Sequence, residues 1–385
     1  MVSISPPMKF AVFSLFLCLS LVVAVDAARR GNKINVIDRC WRRNPRWAAN
    51  RQRLAMCSVG FAGKMTMNRG RGVSRYVVTD SSDDPVRPRP GTLRYGATVL
   101  QGKVWITFAR DMQIRLVRPL VVKSFTAIDG RGADVHIANG AGFLLYKVQN
   151  VIIHGLQFHH LQSQAPGPII DPHGELSHSG NEDGDAIRVV TASKVWIDHN
   201  TLYSCEDGLI DVTRGSTDIT ISNNWFHNHD KVMLLGHRDG YIRDKAMRVT
   251  VAFNRFGPNC NQRMPRVRYG YAHVVNNLYD GWKEYAIGGS VGPTIMSEGN
   301  LFVASKQKEV TRRMPASEGK PLARSWNLRS EHDAFENGAF FSKSGSRVAS
   351  PRYDAQQRFT AASPGAVRAL TRNAGALRCS KKARC

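Results

Sequence analysis

Acidic residues are scarce in this sequence. It has 30 aspartate and glutamate residues against 54 lysine and arginine residues, which gives a formal net charge of +24 and a pI near 10.2. The partner of so basic a chain is expected to be anionic: nucleic acid, acidic lipid or acidic polysaccharide. At 42% hydrophobic residues, the 385-residue chain can build a sizeable core. It is long for one ordinary domain, although solenoids and barrels reach this length as single units.

A long hydrophobic run suited to spanning a membrane is also lacking. The N-terminal run FAVFSLFLCLSLVVAV, residues 10–25, follows Lys9 and ends at the small residues of VDAA. This pattern predicts a secretory signal over residues 1–27, because a spanning helix needs about 20 apolar residues. A membrane anchor is the alternative. We therefore expect a secreted mature chain, residues 28–385, with no membrane span and no nucleic-acid partner.

Cysteine spacings of the zinc-binding type are absent, as are N-x-S/T glycosylation acceptors. Once the signal is removed, six cysteines remain: Cys40, Cys57, Cys205, Cys260, Cys379 and Cys385. An even number in an exported chain suggests disulfides, although many connectivities are open. Short separations favour pairing Cys40 with Cys57 and Cys379 with Cys385. Cys205 with Cys260 is the remainder.

A repeated phrase occupies the middle of the chain. Each copy is a β-rich run followed by Asn, one residue and a large apolar side chain. The pairs are Asn200 with Leu202, Asn224 with Phe226, Asn254 with Phe256, Asn277 with Tyr279, and Asn300 with Phe302. Asparagines spaced by 24, 30, 23 and 23 residues indicate a solenoid.

The residue types select the kind of solenoid. The leucine framework of leucine-rich repeats is missing, whereas Val, Ile, Thr and aromatic residues suit a pleated surface. Stacked coils would place the asparagines in a hydrogen-bonded ladder and the aromatics in an internal stack. We predict an all-β fold, a right-handed parallel β-helix, taking the hand from the general crossover rule.

Regions outside the repeat are expected to cover the solenoid. NPRWAANRQRLAMC, residues 44–57, is predicted to be an amphipathic helix that caps one open end. The polar stretch from about residue 340 is predicted to wrap the outside as loop. We expect a single domain over 28–385, with the β-helix core over roughly 120–320.

Acidic residues are concentrated in one island. It comprises Glu182, Asp183, Asp185, Asp198, Glu206, Asp207 and Asp211. A coil of 24 residues places Asp183, Asp207 and Lys231 on successive rungs of one face. Converging carboxylates repel unless their pKa values rise or a cation binds, and oxygen-only ligands suit Ca²⁺. The alternative is pairing with the chain's own surplus Arg and Lys.

A basic segment, QRMPRVRYG, lies about one rung beyond Lys231 and contains Arg263, Arg266 and Arg268. Arginines beside a bound cation would suit a substrate rich in carboxylates, because a guanidinium grips a carboxylate with two hydrogen bonds. The alternative is an exposed basic strand that aids solubility. No G-x-S-x-G nucleophile motif accompanies the adjacent Asp198 and His199, which are interpreted as structural.

Several long motifs, in order, resemble the plant pectate lyases of polysaccharide lyase family 1. They include CWRRNPRWAANRQRLAMC, VWIDHN, DGLIDVTRGSTDITISNN, HDKVMLLGH and QRMPRVRYGYAHVVNN. The resemblance implies a secreted, Ca²⁺-dependent enzyme of the plant cell wall that cleaves de-esterified homogalacturonan, or pectate, by β-elimination. It places the calcium ligands on Asp183, Asp185, Asp207 and Asp211. It places the catalytic arginine on Arg263 and substrate-binding residues on Lys231 and Arg268.

The implied chemistry leaves alternatives open. Arg263 either abstracts the C5 proton or clamps the substrate carboxylate while hydroxide acts as base, because a guanidinium is ordinarily charged. A polygalacturonase would use paired carboxylates to hydrolyse the same polymer. A pectin lyase acting on methylated substrate would not need the acidic cluster. A hypothesis from a different functional class is a catalytically silent pectin-binding protein of the cell wall. We expect a monomer.

Overall fold

The computed structural model describes residues 34–313, 326–345 and 348–385. Within these ranges the regular structure is mostly β-strand, in three parallel sheets that enclose one apolar interior. The predicted secretory signal, residues 1–27, lies outside the described residues. Across the ranges that are described, no helix has the length and apolar character needed to cross a membrane.

Three sheets form the sides of the solenoid, and we name them A, B and C. Sheet A has ten strands: β1 Val73–Val78, β2 Lys103–Phe108, β5 Thr126–Asp129, β8 Gln149–His154, β13 Ser193–Asp198, β16 Thr217–Ser222, β20 Arg248–Ala252, β24 Tyr271–Val275, β27 Thr294–Glu298 and β30 Asn327–Glu331. Sheet B has eight: β4 Leu120–Val121, β7 Phe143–Tyr146, β12 Ile187–Val190, β15 Ile210–Thr213, β19 Met233–Leu235, β23 Arg266–Arg268, β26 Ile287–Ser290 and β29 Thr311–Arg313.

Sheet C and the minor elements complete the coils. Sheet C has nine strands: β3 Met112–Ile114, β6 Val135–Ala138, β9 Gln157–His159, β14 Thr201–Tyr203, β17 Trp225–His227, β21 Arg255–Phe256, β25 Leu278–Asp280, β28 Leu301–Val303 and β31 Ala334–Glu336. Two pairs stand apart: β10 Gly167–Ile170 with β11 Leu176–Ser179, and β18 His229–Lys231 with β22 Cys260–Gln262. The helices are α1 Val36–Trp41, α2 Val367–Leu370, a π-helix Tyr95–Val99 and 3₁₀ helices at Arg51–Met56, Thr66–Asn68, Ile242–Ala246 and Pro364–Ala366.

Neighbouring strands in each sheet come from successive coils. In sheet A, Ile197 of β13 lies between Ile153 of β8 and Ile221 of β16, all in parallel register. The stack continues through Ile106 and Ile128 at the preceding rungs, and these side chains are fully buried. Each buried isoleucine contributes on the order of 2 kcal/mol by leaving water. The predicted parallel β-helix is confirmed.

The asparagine ladder follows the predicted positions. The backbone N–H and the side-chain amide of Asn200 both donate to Oδ1 of Asn224, at 2.9 and 3.1 Å. The same paired contacts join Asn224 to Asn254, Asn254 to Asn277 and Asn277 to Asn300. Each side-chain amide also donates to a carbonyl of the preceding run, as Asn224 does to Ile197. The ladder thus satisfies buried backbone groups where the chain turns from sheet A to sheet C.

The turn itself needs a left-handed residue just before each ladder asparagine. The backbone φ is +54° at His199, +53° at Asn223, +59° at Phe253, +53° at Asn276 and +61° at Gly299. Most side chains are disfavoured in this region. The hydrogen bonds of the ladder therefore hold a corner that the local sequence alone would not prefer.

The N-terminal segment differs from its prediction. Residues 44–57 do not form one amphipathic helix, because the Asn44 side chain accepts from the N–H of Arg46 in a local turn and Asn50 has non-helical dihedrals. The helical turns present are α1 and the 3₁₀ helix Arg51–Met56. Their apolar residues pack on Trp105 and Trp196 of sheet A, so the segment covers a side of the solenoid.

The open end is closed instead by the π-helix Tyr95–Val99, which contacts β2 and β4. Leu93 and Ala97 join the interior cluster there. The C-terminal residues follow the expected course: largely irregular, with Phe359, Leu370 and Leu377 packed in the same outer cluster as the N-terminal segment.

The disulfides Cys40–Cys57 and Cys379–Cys385 form as predicted. The pairing of Cys205 with Cys260 is wrong, since both are free thiols. Cys260 lies in register with His229, and Cys205 precedes His229 by one 24-residue coil. Two rungs separate the thiols by roughly 9 to 10 Å, and a disulfide needs Cα atoms within about 7 Å.

Candidate active site

The predicted site residues lie along one side of the solenoid, near the starts of strands in sheet B. Asp183 and Asp185 precede β12, and Asp207 and Asp211 lie before and within β15. Lys231 ends β18 one coil later, and Arg263 precedes β23. Because these strands are neighbours in the sheet, distant segments of sequence become adjacent rungs.

Three carboxylates converge, and two of them, Asp183 and Asp207, were predicted by the coil spacing to lie on neighbouring rungs. Ligand oxygens of Asp183, Asp185 and Asp207 all lie within 4.8 Å of one another. Asp183 is exposed, Asp207 is half-buried and Asp185 is buried. The cluster therefore opens to solvent on one side and is closed by protein on the other.

Asp211 joins the cluster at Gly208. The backbone N–H of Gly208 donates to Oδ1 of Asp185 at 2.6 Å. A Cβ atom at this position would lie 2.6 Å from Oδ1 of Asp185 and 2.8 Å from Oδ1 of Asp211. Only glycine leaves this space open, so two carboxylate oxygens face one small concavity beside the backbone.

The crowded carboxylates repel one another, and burial together with this repulsion raises the pKa of two of them. Desolvation, followed by the charges of Asp211, Asp183 and Asp207, raises the pKa of Asp185 to about 9. Desolvation and the charge of Asp207 raise the pKa of Asp211 to about 7, and the positive charge of Arg263 opposes that increase. A divalent cation would relieve the repulsion, and an all-oxygen set of this kind fits Ca²⁺.

Lys231 lies where the 24-residue arithmetic placed it. Its Nζ is 2.5 Å from Oδ1 of Asp207, and its side chain is 38% exposed. The ammonium group therefore borders the carboxylate cluster and still reaches solvent. It can contact a carboxylate that approaches from outside.

Arg263 and Arg266 extend the positive side of the site. Arg263 has a left-handed backbone with φ +61°, an uncommon conformation for a residue other than glycine. Among the described residues, Nε of Arg263 and Nε of Arg266 are buried and have no hydrogen-bond partner. Desolvation and the neighbouring charges of Arg268 and Arg263 lower the pKa of Arg266. The structure thus holds the guanidinium groups of Arg263, Arg266 and Arg268 close to one another.

Arg268 has a different environment from the other two arginines. Its Nε donates to Oδ1 of Asp239 at 3.0 Å, and its Nη1 donates to the carbonyls of Gly236 and His237. Its side chain is only 14% exposed. These contacts fix the orientation of the guanidinium beside Arg266 and leave it fewer free donors.

Arg188 is a site residue that the sequence reasoning missed. It lies in β12 in register with Asp211 of β15. Its guanidinium pairs with Glu182, and its Nε lies 3.8 Å from Oδ2 of Asp185. The coil spacing carried a signal, since Arg188 precedes Asp211 by 23 residues. This arginine offsets part of the cluster's charge from within the protein.

Asp198 and His199 are structural, as interpreted from sequence. Asp198 is fully buried and accepts from Ser222 Oγ at 2.6 Å, with His154 Nδ1 at 3.0 Å. His199 Nε2 lies 2.7 Å from Oδ1 of Asp38 in α1. The network fastens the N-terminal segment to sheet A, away from the acidic cluster.

Comparison with known proteins decides the family. The family model described as pectate lyase matches residues 111–364. The chain belongs to the pectate lyase family. This pectate lyase is 50% identical to putative pectate lyase 2 of Arabidopsis thaliana over 374 residues, covering 95% of this chain and 96% of that protein. It is 49% identical to pectate lyase 1 of Juniperus virginiana over 369 residues, covering 94% and 97%.

A solved structure agrees with the fold. The crystal structure of jun a 1, the major allergen from cedar pollen, superposes with a TM-score of 0.85 and 49% sequence identity. The match covers 89% of this chain and 99% of that one. Together with the named relatives, this makes the protein a polysaccharide lyase built on a parallel β-helix.

Proposed function

We propose that this pectate lyase is a secreted, calcium-dependent enzyme that cleaves de-esterified homogalacturonan by β-elimination. The observation that carries the proposal is the convergence of four aspartates beside a row of arginines. Burial and neighbouring aspartate charges raise the pKa of Asp185 and of Asp211, and Arg263 lies close enough to oppose the rise at Asp211. Such a site suits a cation and a polycarboxylate bound together.

Asp183, Asp185, Asp207 and Asp211 would hold the calcium ion. The convergence within 4.8 Å and the space kept open by Gly208 support this assignment. Bound calcium supplies positive charge that draws a galacturonate carboxylate to the site and partly neutralises it.

The chain's own residues would then stabilise the charge that develops on the substrate. Elimination breaks the C5–H bond next to the carboxylate, and its electron pair forms the C4–C5 double bond as the C4–O bond breaks. Lys231, one rung before Arg263, and Arg268, on the same coil as Arg263, would face the carboxylate as negative charge builds on it. The departing oxygen keeps its bonding pair and takes a proton, leaving a 4,5-unsaturated galacturonosyl end.

Arg263 would act at C5. It either accepts the C5 proton or grips the carboxylate while hydroxide takes the proton. Its uncommon left-handed backbone and its position close enough to Asp211 to oppose the rise in that carboxyl's pKa support a role beside the acidic cluster. Both roles need a base that is scarce at neutral pH, so we expect the rate to rise toward alkaline pH.

Secretion to the plant cell wall rests on the N-terminal sequence. Lys9 followed by the apolar run 10–25 and the small residues near Ala27 supports a cleaved signal. The four disulfide-bonded cysteines support an oxidising compartment. Homogalacturonan is a wall polymer, so the location and the proposed substrate agree.

The proposed chemistry is tested by following the ultraviolet absorbance of the unsaturated product on polygalacturonate, with calcium and with excess chelator. We expect calcium-dependent turnover that falls about 10³-fold in Arg263→Ala. Arg255→Ala is the matched control, since Arg255 makes an exposed pair with Asp280 at 3.4 Å. New reducing ends without the unsaturated product would indicate hydrolysis. Binding without either product would favour the silent pectin-binding protein.

A further inference from the structure

A second groove lies on the molecule, on the outer face of sheet A where the first coils begin. Its lining residues are Asn44, Ala48, Ala49, Asn50, Arg51, Gln52, Arg53, Met56, Arg69, Arg75, Val77, Trp105 and Thr107. We call it the N-terminal groove. It draws on sheet A and the N-terminal segment, whereas the acidic cluster lies on sheet B, so the two sites are separate.

The floor of this groove is made by two paired strands. Arg75 and Val77 of β1 are in register with Trp105 and Thr107 of β2. Alternate residues of a strand point to the same face, so these four side chains lie on one outward surface. Val77 is 47% exposed and Trp105 is buried, which gives the floor an open apolar edge.

The walls are fixed in place by covalent and polar contacts. The segment Asn44–Met56 forms one wall and lies within the loop closed by the Cys40–Cys57 disulfide. Oε1 of Gln52 accepts from the backbone N–H of Gly70 at 3.1 Å, which ties the turn carrying Arg69 to that wall. A ligand would therefore meet a surface that needs little ordering on binding.

The charge of the groove is wholly positive. Its lining residues, all within the described range, include no aspartate or glutamate. Arg51 is engaged by Asp129 at 3.0 Å and by the carbonyl of Arg131 at 2.8 Å. Across the described part of the chain, Arg53, Arg69 and Arg75 are exposed and make no ion pair within 4 Å. Three guanidinium groups thus face solvent without a compensating carboxylate.

We propose that the N-terminal groove binds a linear polyuronate, the same substrate class as the active site, without calcium and without cleaving it. The substrate class rests on the proposed function. Guanidinium groups pair with sugar carboxylates through two hydrogen bonds. The amides of Asn44, Asn50 and Gln52 and the hydroxyl of Thr107 suit sugar hydroxyls, and Val77 and Met56 suit the apolar faces of the rings.

Single-stranded nucleic acid fits this groove less well. Proteins that bind it combine basic grooves with exposed aromatic rings on which the bases stack. Trp105 is the aromatic residue in the lining, and it is 2% exposed with its Nε1 donating to Asp129. A polymer with a carboxylate on every sugar matches the donors that the groove presents.

Such a groove would retain the enzyme on its polymer between cleavage events. Calcium and the acidic cluster control the bond that breaks, whereas the N-terminal groove controls how long the enzyme stays nearby. Two sites on one rigid solenoid that bind the same chain raise the effective concentration of substrate at the active site. Demethylated pectin would be retained and highly methylated pectin would not, because methyl esters remove the carboxylate charge.

Binding is measured directly, on full-length mature protein carrying Arg263→Ala, in excess chelator. The chelator stops calcium-dependent cleavage and Arg263→Ala stops cleavage that uses Arg263. A polymer length that is unchanged after the titration shows that binding was measured without turnover. The probe is polygalacturonate of defined length, titrated by calorimetry at low and moderate salt. The test variant adds Arg53→Gln, Arg69→Gln and Arg75→Gln. The control variant adds Lys306→Gln, Arg352→Gln and Arg372→Gln, which are exposed residues elsewhere and change the net charge equally.

We expect the parent and control proteins to bind polygalacturonate and the test variant to bind about tenfold more weakly or worse. Higher salt should weaken binding by the parent, because exposed charges are screened. Equal affinity of the test and control variants would overturn the proposal, as would no binding by the parent. Equal or tighter binding of single-stranded DNA would overturn the choice of a polyuronate. Thermal unfolding of each variant confirms that it is folded.

Discussion

Asp129 and Asp185 are both buried aspartates, yet the protein treats their charges in opposite ways. Asp129 is fully buried and pairs with Arg131 at 2.7 Å and Arg51 at 3.0 Å. Burial would raise the pKa of Asp129, but the two arginines outweigh it and hold the pKa below the usual range. For Asp185, burial and three neighbouring aspartates act together and raise the pKa to about 9.

The difference separates a structural ion pair from a candidate binding site. Around Asp129, the chain supplies every charge and hydrogen bond that the carboxylate needs, including the indole N–H of Trp105. Around Asp185, the chain supplies carboxylates and offsets them only in part through Arg188. A buried carboxylate that its own protein does not neutralise either keeps a proton or binds a cation, and a strongly raised pKa of this kind is typical of functional sites.

The largest expected effect on stability comes from removing the carboxylate of Asp129, which pairs with Arg131 and Arg51. Asp129→Ala should lower the free energy of unfolding by about 3–5 kcal/mol, because it leaves Arg131 and Arg51 as uncompensated buried charges. Asp280→Ala, which removes the exposed partner of Arg255, is the control and should cost less than about 1 kcal/mol. Urea denaturation measures both. Similar losses in the two variants would show that burial of the pair does not matter.

The next effect tests the asparagine ladder, an uncharged network whose buried hydrogen-bonding groups are satisfied within the protein. Asn254→Ala should cost about 2–3 kcal/mol, because Oδ1 of Asn254 accepts from both the backbone and the side chain of Asn224. Amide hydrogen exchange should speed up at Asn224. Asn373→Ala, in the C-terminal segment outside the ladder, should change stability by about 0.5 kcal/mol or less. An unaffected amide at Asn224 would contradict the ladder's role.

The third effect concerns the uncompensated carboxylate of Asp185 and the pH dependence of stability. The pKa of Asp185 in the folded chain is raised to about 9. Between about pH 4 and pH 9 the folded chain therefore keeps a proton on Asp185, whereas the unfolded chain has already released it. In excess chelator, stability should therefore fall as pH rises, by about 1–2 kcal/mol from pH 6 to pH 8. Asp185→Asn should flatten this fall.

Added calcium should restore stability most at the alkaline end, because calcium binds the ionised carboxylates. Thermal unfolding across pH, with calcium and with chelator, measures both effects. A stability that rises with pH in chelator would show that the aspartates are already compensated by the protein.

The smallest effect on stability is expected at the exposed rim of the site. Lys231→Ala removes the pair with Asp207, whose members are 38% and 28% exposed, so the cost should stay below about 1 kcal/mol. KM for polygalacturonate should nevertheless rise several-fold, because the ammonium would contact substrate. Lys306→Ala, at an exposed position off the site, serves as control. Unchanged KM in Lys231→Ala would remove it from the substrate contacts.

The coils were predictable because the same physical requirement recurs at each rung. Asn200, Asn224, Asn254 and their successors satisfy the backbone at one corner, so the spacing between them reports the coil length. The same spacing predicted that Asp183, Asp207 and Lys231 lie on successive rungs. It also applied to Arg188 and Asp211, but the pair was overlooked because Arg188 lies in a strand rich in valine and isoleucine rather than in a charged island.

The incorrect predictions concern segments in which the sequence has no repeat to indicate the structure. The π-helix Tyr95–Val99, which closes the solenoid, has the sequence YGATV and shows no helical periodicity. The N-terminal segment has amphipathic character, but Asn44 and Asn50 interrupt it and its apolar residues find sheet A instead of the open end. Cys205 and Cys260 were paired by elimination, which ignores the two rungs that separate them in the stack.

The coil between Asn224 and Asn254 is 30 residues long, while its neighbours in the ladder are 23 or 24. The extra residues lie between β19 and β20, around the 3₁₀ helix Ile242–Ala246. The ladder contacts on both sides remain intact, at 3.1 Å from Asn224 to Asn254 and 2.9 Å from Asn254 to Asn277. Descent with modification could therefore lengthen or shorten this excursion without disturbing the stack. Inheritance of the scaffold and variation of this loop are then separate events in the history of such a chain.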